Sequence, residues 1–113
     1  LLGYAVDTVG RRFHTIFFKD LTTGKKLPDK IEDVTNDFVI APDNKTVFYV
    51  RQDPETLRSY QVYRYELGSK KPPVLIFEET DVTYSVGLDM SKTKNYIFMA
   101  SYKRDSTEFR VLN

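Results

Sequence analysis

A short pattern occurs three times along the chain. A pair of small or apolar residues runs into an aspartate, a turn follows, and then comes a run of β-branched and aromatic residues. The three aspartates are Asp7, Asp43 and Asp89. A second echo places Gly24 and Gly68 just after similar segments that end in Asp20-Leu21 and Glu66-Leu67. Repeats of roughly 40–50 residues that contain only short strands are typical of β-propeller blades.

The repeat constrains the fold because one such unit cannot bury both of its faces alone. The sequence therefore predicts an all-β fold, a fragment of a β-propeller built from antiparallel four-stranded blades. Residues 1–33 would supply the last three strands of one blade, 37–80 one complete blade, and 82–113 the first three strands of the next. Eight tyrosines and eight phenylalanines agree with strands rather than helices.

Composition limits the partners. The net charge is +1 with the two signs well mixed, so no nucleic-acid groove and no membrane surface is indicated. No apolar run approaches the length of a membrane span. The chain has no cysteine, which rules out disulfides and thiolate chemistry and fits a cytoplasmic location. Because the first residue is Leu1 and not Met, we expect a segment upstream.

The residues that could act in catalysis or metal binding are better interpreted as structural. His14 is the only histidine and lies in a predicted strand, so we interpret it as a partly buried strand residue. The recurring aspartates are expected to accept backbone N–H bonds in turns. Acidic groups near 32–33, 53–55 and 78–81 lack the ligand spacing of a calcium loop. No catalytic, cofactor-binding or metal-ligating residue is assigned to this chain.

One cluster of charges stands out at one end of the predicted blades. Alternating strand direction brings Arg11, Arg12 and Arg58 to the same end as the loops between blades. Those loops carry acidic residues, namely Asp33, Asp37 and Asp81. A face of mixed charge suits docking against another domain through ion pairs that depend on salt. We therefore name Arg11, Arg12 and Arg58 as candidate interdomain contacts; ordinary surface charge is the alternative.

The middle of the chain resembles a known family. The order and spacing of several segments resemble the propeller of the prolyl oligopeptidase family of serine peptidases, in its oligopeptidase B group. These segments are Val47 to Arg51, Asp53-Pro54, Leu57, Tyr60 to Arg64 and Leu67-Gly68. Flanking pieces agree, among them Arg11-Arg12-Phe13, Thr23-Gly24 and Leu75 to Glu79. The resemblance spans nearly the whole chain.

The resemblance implies a seven-bladed propeller paired with an α/β-hydrolase catalytic domain in the same protein. The serine triad and the acidic pocket for Lys or Arg would lie in that domain, and no Gly-x-Ser-x-Gly elbow occurs here. The parent would cleave short peptides after Lys or Arg, while this portion would gate substrates and dock on the catalytic domain. Two alternatives stay open: a non-catalytic propeller that binds partners, and a self-contained β-sandwich. A downstream elbow in the full-length gene would distinguish them.

Overall fold

The structure, a computed structural model, describes residues 2–7, 13–43, 45–69, 71–90, 96–103 and 105–112. Ten β-strands and no helix occur in these ranges. The strands are β1 (Leu2–Val6), β2 (His14–Lys19), β3 (Lys26–Val34), β4 (Phe38–Ile40), β5 (Thr46–Gln52), β6 (Ser59–Glu66), β7 (Val74–Glu78), β8 (Ser85–Met90), β9 (Ile97–Lys103) and β10 (Ser106–Leu112). Accordingly, no helix in the described ranges is long and apolar enough to cross a membrane.

The strands form three antiparallel sheets in which neighbours in sequence are neighbours in space. The first sheet has the order β1-β2-β3, the second β4-β5-β6-β7, and the third β8-β9-β10. This arrangement confirms the predicted all-β, antiparallel fold class. The assignment of these sheets to the last three strands of one blade, a whole blade and the first three strands of another stays a prediction.

The second sheet is buried on both faces because β5 is apolar at four successive positions. Val47 and Tyr49 face the first sheet, where they join a core with Ile16, Phe18, Ile31 and Val34. Val50 faces the third sheet and packs with Val62, Val86 and Met99. Alternation along β6 agrees with this, since Val62 belongs to the second core while Tyr63 and Tyr65 pack against the first.

The outward faces of the first and third sheets carry exposed apolar side chains. They are Leu2, Tyr4 and Val6 on β1, and Tyr102, Phe109 and Val111 on β9 and β10. On the first sheet the ring of Tyr4 stacks on that of Phe17, with centroids 5.6 Å apart. In a propeller such faces pack against neighbouring blades.

The connections use turn chemistry that the sequence indicates. Gly24 and Gly68 both have positive φ, 72° and 74°, which explains why the second echo ends in glycine. Asp43 accepts bonds from the backbone N–H groups of Lys45 and Thr46, both at 2.9 Å, as expected of the recurring aspartate. Asp89 accepts a 2.8 Å bond from the N–H of the next residue, Met90.

Candidate functional site

The site begins with the connection between β5 and β6, which runs from Asp53 to Arg58. The Asp53 carboxylate accepts bonds from the N–H groups of Glu55 and Thr56, at 2.8 and 3.0 Å. The Asp53 N–H donates to the Arg58 carbonyl at 2.8 Å and closes the loop. These bonds fix the Arg58 backbone directly before β6, so its side chain starts from a defined position.

The Arg58 guanidinium binds the loop that joins the second and third sheets. Its Nε donates to the Tyr84 carbonyl at 2.6 Å, and its Nη2 donates to the carbonyls of Glu79 and Asp81, both at 2.7 Å. The rigid fork of arginine suits such multiple bonds, which the single ammonium of lysine cannot reproduce. Arg58 therefore clamps the segment 79–84, which we call the intersheet loop.

The intersheet loop has its own turn. Thr83 donates to Asp81 Oδ1 from its hydroxyl at 2.6 Å and from its N–H at 3.0 Å. These bonds, together with the charges of Lys103 and Arg58, hold the pKa of Asp81 below its usual range. The Nζ of Lys103 lies 5.1 Å from the centroid of the Tyr84 ring. Arg58, Asp81, Tyr84 and Lys103 thus form one charged patch, which we call the loop face.

The other acidic residues named from the sequence take different positions. Asp37 is half-buried and directly precedes β4. Its Oδ2 accepts a 3.1 Å bond from the Leu88 N–H of β8, so its carboxylate connects the second sheet to the third. Burial raises the pKa of Asp37, with Asp89 adding to the effect and the Leu88 bond opposing it. Asp33 has a φ of 58° at a bulge where two residues of β3 lie opposite one residue of β2. Of the predicted acids, Asp81 is the one bonded into the Arg58 network.

Arg11 and Arg12 lie outside the described residues. Arg58 lies where the intersheet loop begins, as the alternating strand directions predict. Its hydrogen bonds to the described residues go to backbone carbonyls, whereas the sequence argument expected ion pairs. The interdomain role of Arg11, Arg12 and Arg58 stays a prediction. His14 is half-buried at the start of β2, and its Nδ1 has no partner among the described residues.

Sequence reasoning missed the side chains that join neighbouring sheets. Asp29 of β3 accepts a 2.6 Å bond from the Tyr65 hydroxyl and a 3.0 Å bond from the Gly68 N–H. Asp37 likewise joins the second and third sheets, by accepting a bond from the Leu88 N–H. An aspartate in the middle of a strand, where β propensity disfavours it, was the available signal for Asp29.

Three face-to-face antiparallel sheets that follow one another in chain order, joined by short loops, define a segment of a β-propeller. The chain matches the family described as "Prolyl oligopeptidase, N-terminal beta-propeller domain" over residues 1–113. It belongs to this family, which confirms the resemblance noted from the sequence.

Two relatives extend the comparison. The chain is 40% identical over 111 residues to dipeptidyl aminopeptidase BI of Pseudoxanthomonas mexicana. The aligned region covers 97% of this chain and 15% of that protein. It is 31% identical over 117 residues to Protease 2 of Moraxella lacunata, covering 99% of this chain and 16% of the relative. The chain therefore spans only 15–16% of the length of these relatives.

Solved structures share the fold. Oligopeptidase B from Leishmania major superposes with a TM-score of 0.87 and 27% identity, over 98% of this chain and 16% of that one. Oligopeptidase B from Trypanosoma brucei, with covalently bound antipain in the closed form, gives a TM-score of 0.81 and 23% identity, over 98% and 15% of the two chains. At that lower identity the likeness shows the fold alone.

Proposed function

We propose that this chain is the propeller portion of a serine peptidase that cleaves short peptides after Lys or Arg. In this role it docks on the α/β-hydrolase catalytic domain of the same protein and restricts access to substrates short enough to pass. The family match over the whole chain is the observation that carries the proposal. The preference for basic residues is what the resemblance to the oligopeptidase B group implies, and similarity to proteins named Protease 2 and oligopeptidase B supports that resemblance.

The loop face supplies the docking geometry for this proposal. Its basic side chains, Arg58 and Lys103, lie beside Asp81 of the intersheet loop, whose backbone Arg58 holds in place. A fixed surface of mixed charge can register a second domain without large changes of its own. Exposed ion pairs contribute only about 0–1 kcal/mol each, which suits a contact that opens and closes.

The experiment is a peptidase assay on the full-length protein. Substrates blocked at the amino end and carrying a fluorogenic group after Arg or Lys should be cleaved, and matched substrates with Gln or Leu at that position should not. A serine-directed inhibitor should abolish the activity. Equal rates on the basic and neutral substrates would refute the specificity, and no hydrolysis of any of them would refute the peptidase assignment.

The docking role has its own test in Arg11 and Arg12. The double variant Arg11→Ala/Arg12→Ala in the full-length protein should change peptide kinetics and their dependence on salt, with little effect on the melting temperature. The physical reason is that salt screens charge pairs between domains, and such pairs affect association more than they affect the stability of either domain. Kinetics that equal the wild type from low to high salt would leave this pair as ordinary surface charge.

Release of dipeptides from free amino termini is a second candidate activity. The relative with 40% identity is named a dipeptidyl aminopeptidase, and that identity exceeds the 31% shared with Protease 2. Comparing one dipeptide substrate with a free and with an acetylated amino terminus separates the two candidates. Cleavage of the free form alone would favour the dipeptidyl activity. A cytoplasmic location belongs to the proposal as well, supported by the absence of cysteine.

A further inference from the structure

A cleft of about 310 Å³ opens between the first and second sheets. One wall is the end of β3, from Lys30 to Val34, and the other carries Tyr49 and Arg51 of β5, with Tyr65 and Pro73 at its edge. Every lining residue belongs to the first and second sheets or their connections. The volume is at the lower end of the range for small-molecule sites.

Tyr49 gives this cleft a hydroxyl group that has no hydrogen bond within the described part of the chain. The residue is only 3% exposed, and its ring stacks on that of Tyr63 with centroids 5.6 Å apart. Its hydroxyl has no hydrogen bond to any of the described residues, and it is not among their fully buried unpaired atoms. The hydroxyl therefore opens into the cleft that Tyr49 lines. Since buried phenols normally find a partner, this one is available to a ligand.

Among the described residues that line the cleft, one cation and one anion form no ion pair. Lys30 and Glu32 neutralise each other across 3.0 Å. Arg51 lies with its guanidinium carbon 5.7 Å from the centroid of the Tyr63 ring, and within the described chain it forms no ion pair. Asp33, at the end of β3, also has no ion pair there and is held at a φ of 58°. The Arg51 and Asp33 charges thus belong to the two opposite walls.

We propose that this cleft binds a small zwitterion: an amino acid or short peptide with a basic side chain and a free C-terminal carboxylate. Arg51 and the Tyr49 hydroxyl would donate to the carboxylate, since the arginine fork matches carboxylate geometry. Asp33 would accept from the basic side chain. A doubly charged anion such as phosphate is disfavoured because Asp33 repels it. Such peptides are the products of cleavage after Lys or Arg, and this last identification rests on the proposed function.

The test measures binding of N-acetyl-glycyl-arginine to the full-length protein by ligand-observed NMR. The protein is first treated with a covalent serine-directed inhibitor, so that a peptidase centre cannot supply the binding. Saturable binding is expected. Two matched ligands should each bind at least tenfold more weakly: the C-terminal amide of the same peptide, and N-acetyl-glycyl-norleucine, which lacks the basic group.

Variants then locate the site. Arg51→Gln, Tyr49→Phe and Asp33→Asn should each raise the Kd at least fivefold; asparagine is chosen because it tolerates a positive φ. Arg64→Gln is the matched control, because Arg64 is an exposed arginine on the opposite face of the second sheet, and it should leave the Kd unchanged.

Equal effects of Arg51→Gln and Arg64→Gln would overturn the proposal, as would equal binding of the acid and the amide or no saturation of the wild type. Binding retained in a protein without peptidase activity would sink the proposed function and leave the cleft standing.

Discussion

The Tyr65 hydroxyl of β6 donates a 2.6 Å hydrogen bond to the Asp29 carboxylate of β3, and so joins the second sheet to the first. The same carboxylate accepts from the Gly68 N–H at 3.0 Å, directly after β6. One aspartate therefore fixes both the side chain of a strand residue and the backbone of the turn that follows. Because the bond crosses between sheets, it holds their relative position as well as contributing free energy.

Removing this hydroxyl should destabilise the protein modestly. We expect Tyr65→Phe to lower the free energy of unfolding by about 1 kcal/mol, as for a half-buried bond to a charged group. Urea unfolding of the purified protein measures the change. Tyr63→Phe is the control, since the Tyr63 hydroxyl has no hydrogen bond to the described residues, and it should change the free energy by less than about 0.5 kcal/mol. Equal losses in both variants would contradict a specific role for the Asp29 bond.

The same pair predicts a dependence on alkaline pH. The Asp29 bond raises the pKa of Tyr65 to about 12, from 10 in an unperturbed tyrosine. The folded state thus keeps this proton at pH values where the unfolded chain loses it. Stability from Tyr65 is fully present below pH 10 and is lost as the pH rises through about 12. The difference in unfolding free energy between wild type and Tyr65→Phe should shrink across that window; a constant difference would contradict the assignment.

Asp37 should behave in a distinctive way on the acid side. Burial raises its pKa above 3.8, so the charged form is disfavoured in the folded state. Protonated Asp37 therefore contributes to the free energy of unfolding below pH 3.8. This contribution is lost as the pH rises through the raised pKa of Asp37 in the folded state. Asp37→Asn keeps an acceptor for the Leu88 N–H without a charge, so it should be more stable than wild type at pH 7, and this advantage should disappear toward pH 3.8.

Asp43 supplies the control with the opposite sign. Its bonds from the N–H groups of Lys45 and Thr46 lower its pKa below 3.8. The stability it contributes is present above pH 3.8 and is lost as the pH falls through its folded pKa. Asp43→Asn should therefore be less stable than wild type at pH 7, with the gap closing in acid. Parallel pH profiles for the Asp37 and Asp43 variants would show that burial is not the cause of the Asp37 shift.

Gly3 faces the second sheet where no side chain fits. A Cβ at this position would lie 2.6 Å from Cε2 of Phe38 and 3.1 Å from Cδ1 of Ile40. Gly3→Ala should therefore cost about 1–3 kcal/mol through overpacking. Adding Phe38→Leu should recover part of that loss, so a double-mutant cycle should give a favourable coupling between the two sites. Additive effects in urea unfolding would show that the contact with Phe38 is not the cause.

Local pattern was enough to predict the strands, because alternation and turn residues act over a few positions. The cross-sheet bonds were not predictable in this way. The residues joined by the Asp29–Tyr65 bond are 36 positions apart, and those joined by the Asp37–Leu88 bond are 51 apart. Arg58 was placed correctly beside the intersheet loop, yet its acceptors are backbone carbonyls, which carry no side-chain signature. A sequence can therefore indicate the cation but not the loop conformation that surrounds it.

One turn illustrates the limit of local chemistry. The loop after Asp53 has the hydrogen bonds of the loop after Asp20, where Thr22 and Thr23 donate to the carboxylate at 2.8 and 3.4 Å. Both loops place a left-handed residue at the same point, Gly24 in the first and Leu57, at a φ of 62°, in the second. Because leucine rarely adopts this conformation, the sequence alone does not indicate that the two loops share a structure. The shared aspartate and the threonine three positions later were the readable signal.

The Arg58 clamp gives the most direct test of the loop face. Arg58→Lys keeps the charge but cannot span the three carbonyls of Glu79, Asp81 and Tyr84, so we expect a loss of about 2 kcal/mol in unfolding free energy. Amide hydrogen exchange should quicken across the intersheet loop 79–84 and stay unchanged in β5. Arg64→Lys, at an exposed position on β6, is the control and should change neither quantity. If Arg58→Lys retained both the stability and the slow exchange of the wild type, charge alone would account for this residue, and the carbonyl bonds would not be what orders the loop.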